Sequence, residues 1–160
     1  KKIYGKENYK LISHGVLAYR KMRESYLVPY ANVITTLIEI KKRGYKLAIV
    51  SDAPIMEAWI RIASLKLDDF FDVIITKADA RKQKSFPAPF RVALKRLNIK
   101  PEEAIMIGDR IDRDVNTAKK LGIRTVYARY GNEYPPKSGK SGADFEINDI
   151  EELLSLDLSM

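Results

Sequence analysis

Three short clusters in this 160-residue sequence carry side chains that could act on an anionic ligand. The first is Ser51-Asp52, which closes the apolar run Lys46-Leu47-Ala48-Ile49-Val50. A hydroxyl at the carboxyl end of a strand, followed by a turn into a helix, can offer its Oγ and backbone N–H groups to an anion. The same serine can equally be a plain cap. The second is Lys84 in Lys84-Ser85-Phe86-Pro87-Ala88-Pro89-Phe90, just ahead of an expected helix start. Its ammonium can neutralise a phosphoryl group or a buried carboxylate there, or remain a solvated surface charge. The third and most specific is Ile105-Met106-Ile107-Gly108-Asp109-Arg110-Ile111-Asp112-Arg113-Asp114. An apolar strand runs straight into Gly108-Asp109, and Asp114 follows five residues after Asp109. Carboxylate oxygens at a strand end suit Mg²⁺, which takes one or two protein carboxylates and completes its octahedron with water and phosphate. The competing reading makes Asp109 a loop residue and Asp112 or Asp114 an N-cap, with Asp112 otherwise exposed.

The elements that must position these clusters follow from hydrophobic period and punctuation. Apolar residues at helical spacing predict helices over residues 8–24 and 30–43, the second closed by Lys42-Arg43 and then Gly44 as a C′ glycine. Short apolar runs predict strands at 46–50, 72–76, 104–107, 124–127 and 144–147. Between them helices are expected from Asp52 as N-cap to about Leu65, from near Pro87 to Leu97, from about Arg113 to Leu121, and from Asp149 onward. The Gly-, Pro- and Ser-rich stretch 131–142 reads as a long surface loop. Strands alternating with helices imply right-handed crossovers and a parallel sheet covered on both faces. Ligands in such sheets bind beyond the carboxyl ends of the strands, where Ser51-Asp52 and Gly108-Asp109 stand.

In this order the clusters resemble the motifs of the haloacid dehalogenase-like (HAD) superfamily, phosphatase type with a helical cap. Leu47-Ala48-Ile49-Val50-Ser51-Asp52 matches its second motif, and Lys84, Pro87 and Phe90 its third, with Ser85 where proline is usual. Gly108-Asp109 with Asp114, continued by Ala118-Lys119 and Leu121-Gly122-Ile123, matches the fourth. The resemblance covers about Pro29 to Leu154. It implies a Rossmann-like α/β core with a parallel sheet flanked by helices over residues 28–160, and a remnant of the helical cap over 1–27. It also implies that Ser51 and the Asp52 backbone hold the transferring phosphoryl group of a small phosphorylated metabolite, while Lys84 holds its charge against the nucleophile's. Asp109 would bind Mg²⁺ and Asp114 would support it directly or from behind. Chemistry would then run by in-line transfer to an aspartate and hydrolysis of the aspartyl-phosphate.

The family's first motif, Asp-x-Asp-x-Thr on the central strand, has no counterpart here: the first 51 residues contain no aspartate. These residues alone are therefore expected to be inactive. The two strands that should flank the missing one must pair directly, or take a strand from a further segment or from a second chain or copy. The alternative is an inactive HAD-like binding or scaffold protein.

Composition narrows the rest. With 46% hydrophobic residues the chain can bury a real core. Without cysteine, neither disulfides nor thiolate metal sites can form, which fits the cytoplasm. No run approaches the roughly 18 apolar residues of a membrane span. The net charge of +8 is spread over pairs such as Lys95-Arg96 and Lys119-Lys120, with no aromatic-lined stripe, so a nucleic-acid partner is not expected. His14 should lie on a helix surface and Trp59 should pack.

Overall fold

Short β-branched and apolar runs, the first three stopped by Ser51, Thr76 and Gly108, give five strands among the described residues, with helices between the first four as the alternating pattern requires. The computed structural model describes residues 8–25, 27–131 and 139–157. In chain order the regular elements are α1 (Tyr9–Ser25), α2 (Val33–Lys42), β1 (Ala48–Val50), α3 (Ile55–Ser64), β2 (Val73–Ile75), α4 (Lys77–Ala80), α5 (Ala88–Leu97), β3 (Ile105–Gly108), α6 (Asn116–Lys119), β4 (Arg124–Ala128) and β5 (Phe145–Ile147). No helix among the described residues is long and apolar enough to cross a membrane.

The strands do not form one sheet. β1 pairs with β2 in register Ile49↔Ile74, while β3, β4 and β5 form a second parallel sheet with Met106↔Thr125 and Tyr127↔Glu146. β1 and β3 do not pair directly, so one of the expected ways of closing the sheet is not the one taken. Among the described residues each keeps one edge without a neighbouring strand. Burial records the difference. β4, paired on both sides, buries Thr125 to Ala128, whereas all of β1 is only half-buried and Ile107 of β3 is 43% exposed.

Two helices tie the sheets together across this gap. On one face α5 places Phe90 and Leu94 against Met106, Val115 and Tyr127, while the same helix packs on β1 and β2. On the other face α2 inserts Leu37 among Ile49, Ile62 and Ile74, and Ile40 among Val126, Ile147 and Leu153. Between the facing edges lies a cleft of about 270 Å³, lined by Ala48, Val50, Ile105, Ile107, Phe90 and Leu94, with Lys84 and Asp114 at one end.

Several local expectations change in detail. Gly44 (φ +83°) and Gly122 (φ +79°) close α2 and the α6 segment as C′ glycines. Asp52 is not the cap of α3, which begins after Pro54 with no side-chain cap; its carboxylate is taken by a longer-range bond described below. The helix expected from Arg113 starts earlier, at Ile111, as a π-turn over Ile111–Val115 in which the Val115 N–H reaches back to the Arg110 carbonyl. Such turns recur where a side chain must be aimed. The last helix is a short 3₁₀ segment, Ile150–Leu154, capped by Asp149, which accepts from the Glu151 N–H at 2.8 Å. His14 is exposed as expected, but Trp59 on α3 is 44% exposed rather than packed. Of the 131–142 loop, residues 132–138 lie outside the described residues. α1 exposes Leu11, Ile12, Leu17 and Met22.

Candidate active site

The carboxyl ends of β1 and β3 meet at one edge of the cleft. Ser51 ends β1: its N–H bonds the Ile75 carbonyl at 2.8 Å, and its Oγ accepts from the Ala53 N–H at 3.2 Å. That second bond is the capping geometry expected of a strand-end serine, and it holds the Ser51-Asp52-Ala53 turn closed. Asp52 then reaches 32 positions along the chain. Its Oδ1 accepts from the Lys84 backbone N–H at 2.7 Å, and its Oδ2 lies 3.5 Å from the Arg113 guanidinium. One carboxylate therefore pins the lysine loop to β1 and touches the π-turn that follows β3. Because residues just beyond both strands come together, β1 and β3 must run in the same direction.

Lys84 is not a solvated surface charge. Its Nζ stands 2.9 Å from Asp114 Oδ1, with the lysine side chain 21% exposed and the aspartate 4%. The ammonium lies off the carboxylate's hydrogen-bond axis, so the contact is an ion pair without a directed bond. Asp114 Oδ2 accepts from the Arg110 N–H at 3.3 Å. Glycine at 108 is a packing requirement: a Cβ there would sit 2.5 Å from Asp114 Oδ2. The π-turn thus folds Asp114 back beneath the end of β3 and under Lys84. Asp112 points away, 65% exposed, and pairs with Arg110 and Arg113, so it is neither cap nor ligand within the cluster.

Asp109 sits at the tip of β3 against the turn that follows β4, Arg129–Gly131. Tyr130 of that turn meets Tyr30 edge-on at 5.2 Å between centroids. Burial pushes the Tyr130 phenol up to about 12, helped by the nearby negative charges of Asp149 and Asp109. Among the described residues no three His, Asp or Glu side chains converge into a complete metal cage. Mg²⁺ does not require one, since water and phosphate oxygens fill most of its shell. Asp109 and Asp114, flanking the end of one strand, are donors of the right kind, although Asp114 already faces Lys84.

Arg113 and the Arg129–Gly131 turn were not singled out from the sequence. The rule that led to Ser51 and Gly108, ligands beyond strand carboxyl ends, applies equally to β4 and leads to that turn. Arg113 left no such signal, because its role depends on a π-turn that the local pattern does not announce.

Residues 3–128 match the haloacid dehalogenase-like hydrolase family. The chain belongs to that family. It is 33% identical over 156 residues to a glyceraldehyde 3-phosphate phosphatase of Methanocaldococcus jannaschii, covering 98% of this chain and 68% of the relative. It is 37% identical over 155 residues to the protein of the same name from Pyrococcus furiosus, covering 93% and 62%. Among solved structures, a HAD phosphatase from Thermococcus onnurineus superposes with a TM-score of 0.71 at 33% identity, over 79% of this chain and 56% of that one. The chain thus spans roughly two thirds or less of the length of these HAD proteins. The α/β HAD fold read from the motifs is the fold observed.

Proposed function

We propose that this chain forms most of the catalytic edge of a Mg²⁺-dependent phosphomonoester hydrolase, with the nucleophilic aspartate supplied from outside these residues. The observation that carries the reading is the Lys84–Asp114 pair, 2.9 Å apart at the end of a cleft whose two walls are unpaired parallel strand edges. A strand entering that cleft would pair with β1 and β3 at once, and an aspartate at its carboxyl end would emerge beside Lys84. Residues 28–160 form the core of this proposal, and 1–27 the cap remnant.

Each side chain then has a task. The Ser51 hydroxyl and the N–H groups of its turn bind phosphoryl oxygens. Lys84, oriented by Asp114 below and by its backbone bond to Asp52, balances the negative charge of phosphoryl group and nucleophile. Asp109, with Asp114 behind it, would hold Mg²⁺, which when bound neutralises the phosphoryl oxygens. The aspartate carboxylate would attack phosphorus as its bond to the ester oxygen breaks, the alcohol leaving with a proton from water or an acid outside these residues. Water would then cleave the acyl phosphate to release phosphate and restore the carboxylate. The relatives' names point to a small phosphorylated metabolite, glyceraldehyde 3-phosphate first among candidates.

The absence of any aspartate before Asp52 favours a second reading for the isolated chain, an inactive binding protein. One assay separates them. The 160 residues alone are expected not to hydrolyse p-nitrophenyl phosphate in Mg²⁺. The same residues joined to an N-terminal Asp-x-Asp-x-Thr strand are expected to hydrolyse it, and to lose that activity with Lys84→Ala. No turnover by the folded, extended protein on p-nitrophenyl phosphate, glyceraldehyde 3-phosphate or pyrophosphate sinks the enzyme reading.

A further inference from the structure

Gly131 lies 22 positions beyond Asp109 on a different strand connection, yet its backbone lies against the Asp109 side chain. A Cβ built on Gly131 would stand 2.9 Å from the Asp109 Cβ, 3.5 Å from its Cγ and 3.7 Å from Oδ2. Backbone conformation is not the reason for glycine here: unlike Gly44, Gly122, Gly139 and Gly142, Gly131 has no positive φ. What position 131 requires is the missing side chain.

Both partners are anchored from the strand side. Asp109 follows directly on β3, held by its ladder to β4. Gly131 follows Tyr130, which packs on the cluster of Val126, Ala128 and Ile147 and against Tyr30, and Arg129, whose guanidinium pairs with Glu146. A methyl group inserted there meets the Asp109 Cβ, which no χ rotation moves, so the tip of β3 and the turn after β4 must shift apart and carry the whole Asp109 residue with them.

From this we propose that Gly131 is a positioning residue: the bare backbone at the end of β4 is the seat that fixes where Asp109, and with it its carboxylate, stands at the tip of β3. The consequence for metal binding rests on the reading of Asp109 as a Mg²⁺ ligand, whereas the steric seat does not. Because an alanine at 131 adopts this backbone without strain, Gly131→Ala is a clean steric test.

Two measurements on the full 160-residue chain keep the claims apart. The first needs no metal. Gly131→Ala is expected to lower the urea midpoint when Asp109 is present, and to lose that penalty in the Asp109→Gly background, which removes the clashing Cβ. Gly15→Ala, with open space around its added methyl, serves as control and should show no such dependence on Asp109. The second is Mn²⁺ binding followed by electron paramagnetic resonance, with Mn²⁺ as the spectroscopic stand-in for Mg²⁺. Asp109→Asn is expected to abolish binding, and Gly131→Ala to weaken it about tenfold while the chain stays folded. If Asp109→Asn leaves Mn²⁺ affinity unchanged, the metal reading fails and the urea cycle alone decides the seat. If Gly131→Ala costs the same with and without the Asp109 side chain, the seat itself is overturned.

Discussion

Replacing Lys84 by methionine keeps most of the stem's volume and removes only the ammonium. What remains is Asp114, 4% exposed, with, among the described residues, a 3.3 Å bond from the Arg110 N–H and no other cation paired with it. Breaking a fully buried pair costs about 3–5 kcal/mol because the surviving ion is left uncompensated. Lys84 is 21% exposed and stands at the mouth of a cleft that water can enter, so the cost here should be smaller, about 2 kcal/mol. For a chain of this size that corresponds to a fall of about 4–8 °C in Tm. The converse change, Asp114→Asn, should cost less, about 1 kcal/mol, because the freed ammonium can swing into the cleft. Urea unfolding of the parent, Lys84→Met, Asp114→Asn and the double variant gives the coupling directly. The double variant should be little worse than Lys84→Met alone, with a coupling of at least about 1 kcal/mol. Strict additivity, within about 0.5 kcal/mol, would refute the argument that Lys84 is held in place by a buried charge.

Other outcomes follow from the same structure. Gly108→Ala drives a methyl into Asp114 Oδ2 at 2.5 Å and should destabilise by about 2 kcal/mol in thermal unfolding. Acid should weaken the fold through Asp79, whose carboxyl is held down to about 2 by the Thr76 N–H and hydroxyl and by Arg96. Its folded value is depressed below the ordinary 3.8, so this stabilisation is present above about pH 5 and lost as pH falls through about 2. Asp79→Asn should therefore cost about 1–2 kcal/mol in urea at pH 7 and close to nothing near pH 2. The apolar walls of the cleft should bind an environment-sensitive dye such as ANS in the folded chain, and an added strand peptide of apolar sequence should displace it. Hydrogen exchange should be slower for β4 amides than for those on the open edges of β1 and β3.

The chemistry-bearing positions were legible locally because each is a strand end, where an apolar run meets Ser51-Asp52 or Gly108-Asp109. The placement of α2 and α5 followed in the same way from apolar spacing and from the glycine or proline at their ends. Other features depended on partners far along the chain. Asp52 looked like a cap, and nothing within its own turn reveals that Lys84, 32 positions later, offers it a better donor at 2.7 Å. Trp59 looked like core, but α3 turns it outward.

What the sequence by itself determined is the family, the five strands, and the absence of an aspartate ahead of Asp52, since all three are set by residue type and short-range period. Tertiary structure alone decided that Lys84 and Asp114 form a pair, that Gly131 gives way to Asp109, and that β1 and β3 stand apart with a cleft between them. The physical reason is that α2 and α5 each pack on both sheets, so their apolar faces fix the spacing of β1 and β3 without a hydrogen bond between them. No pattern within either strand carries that distance.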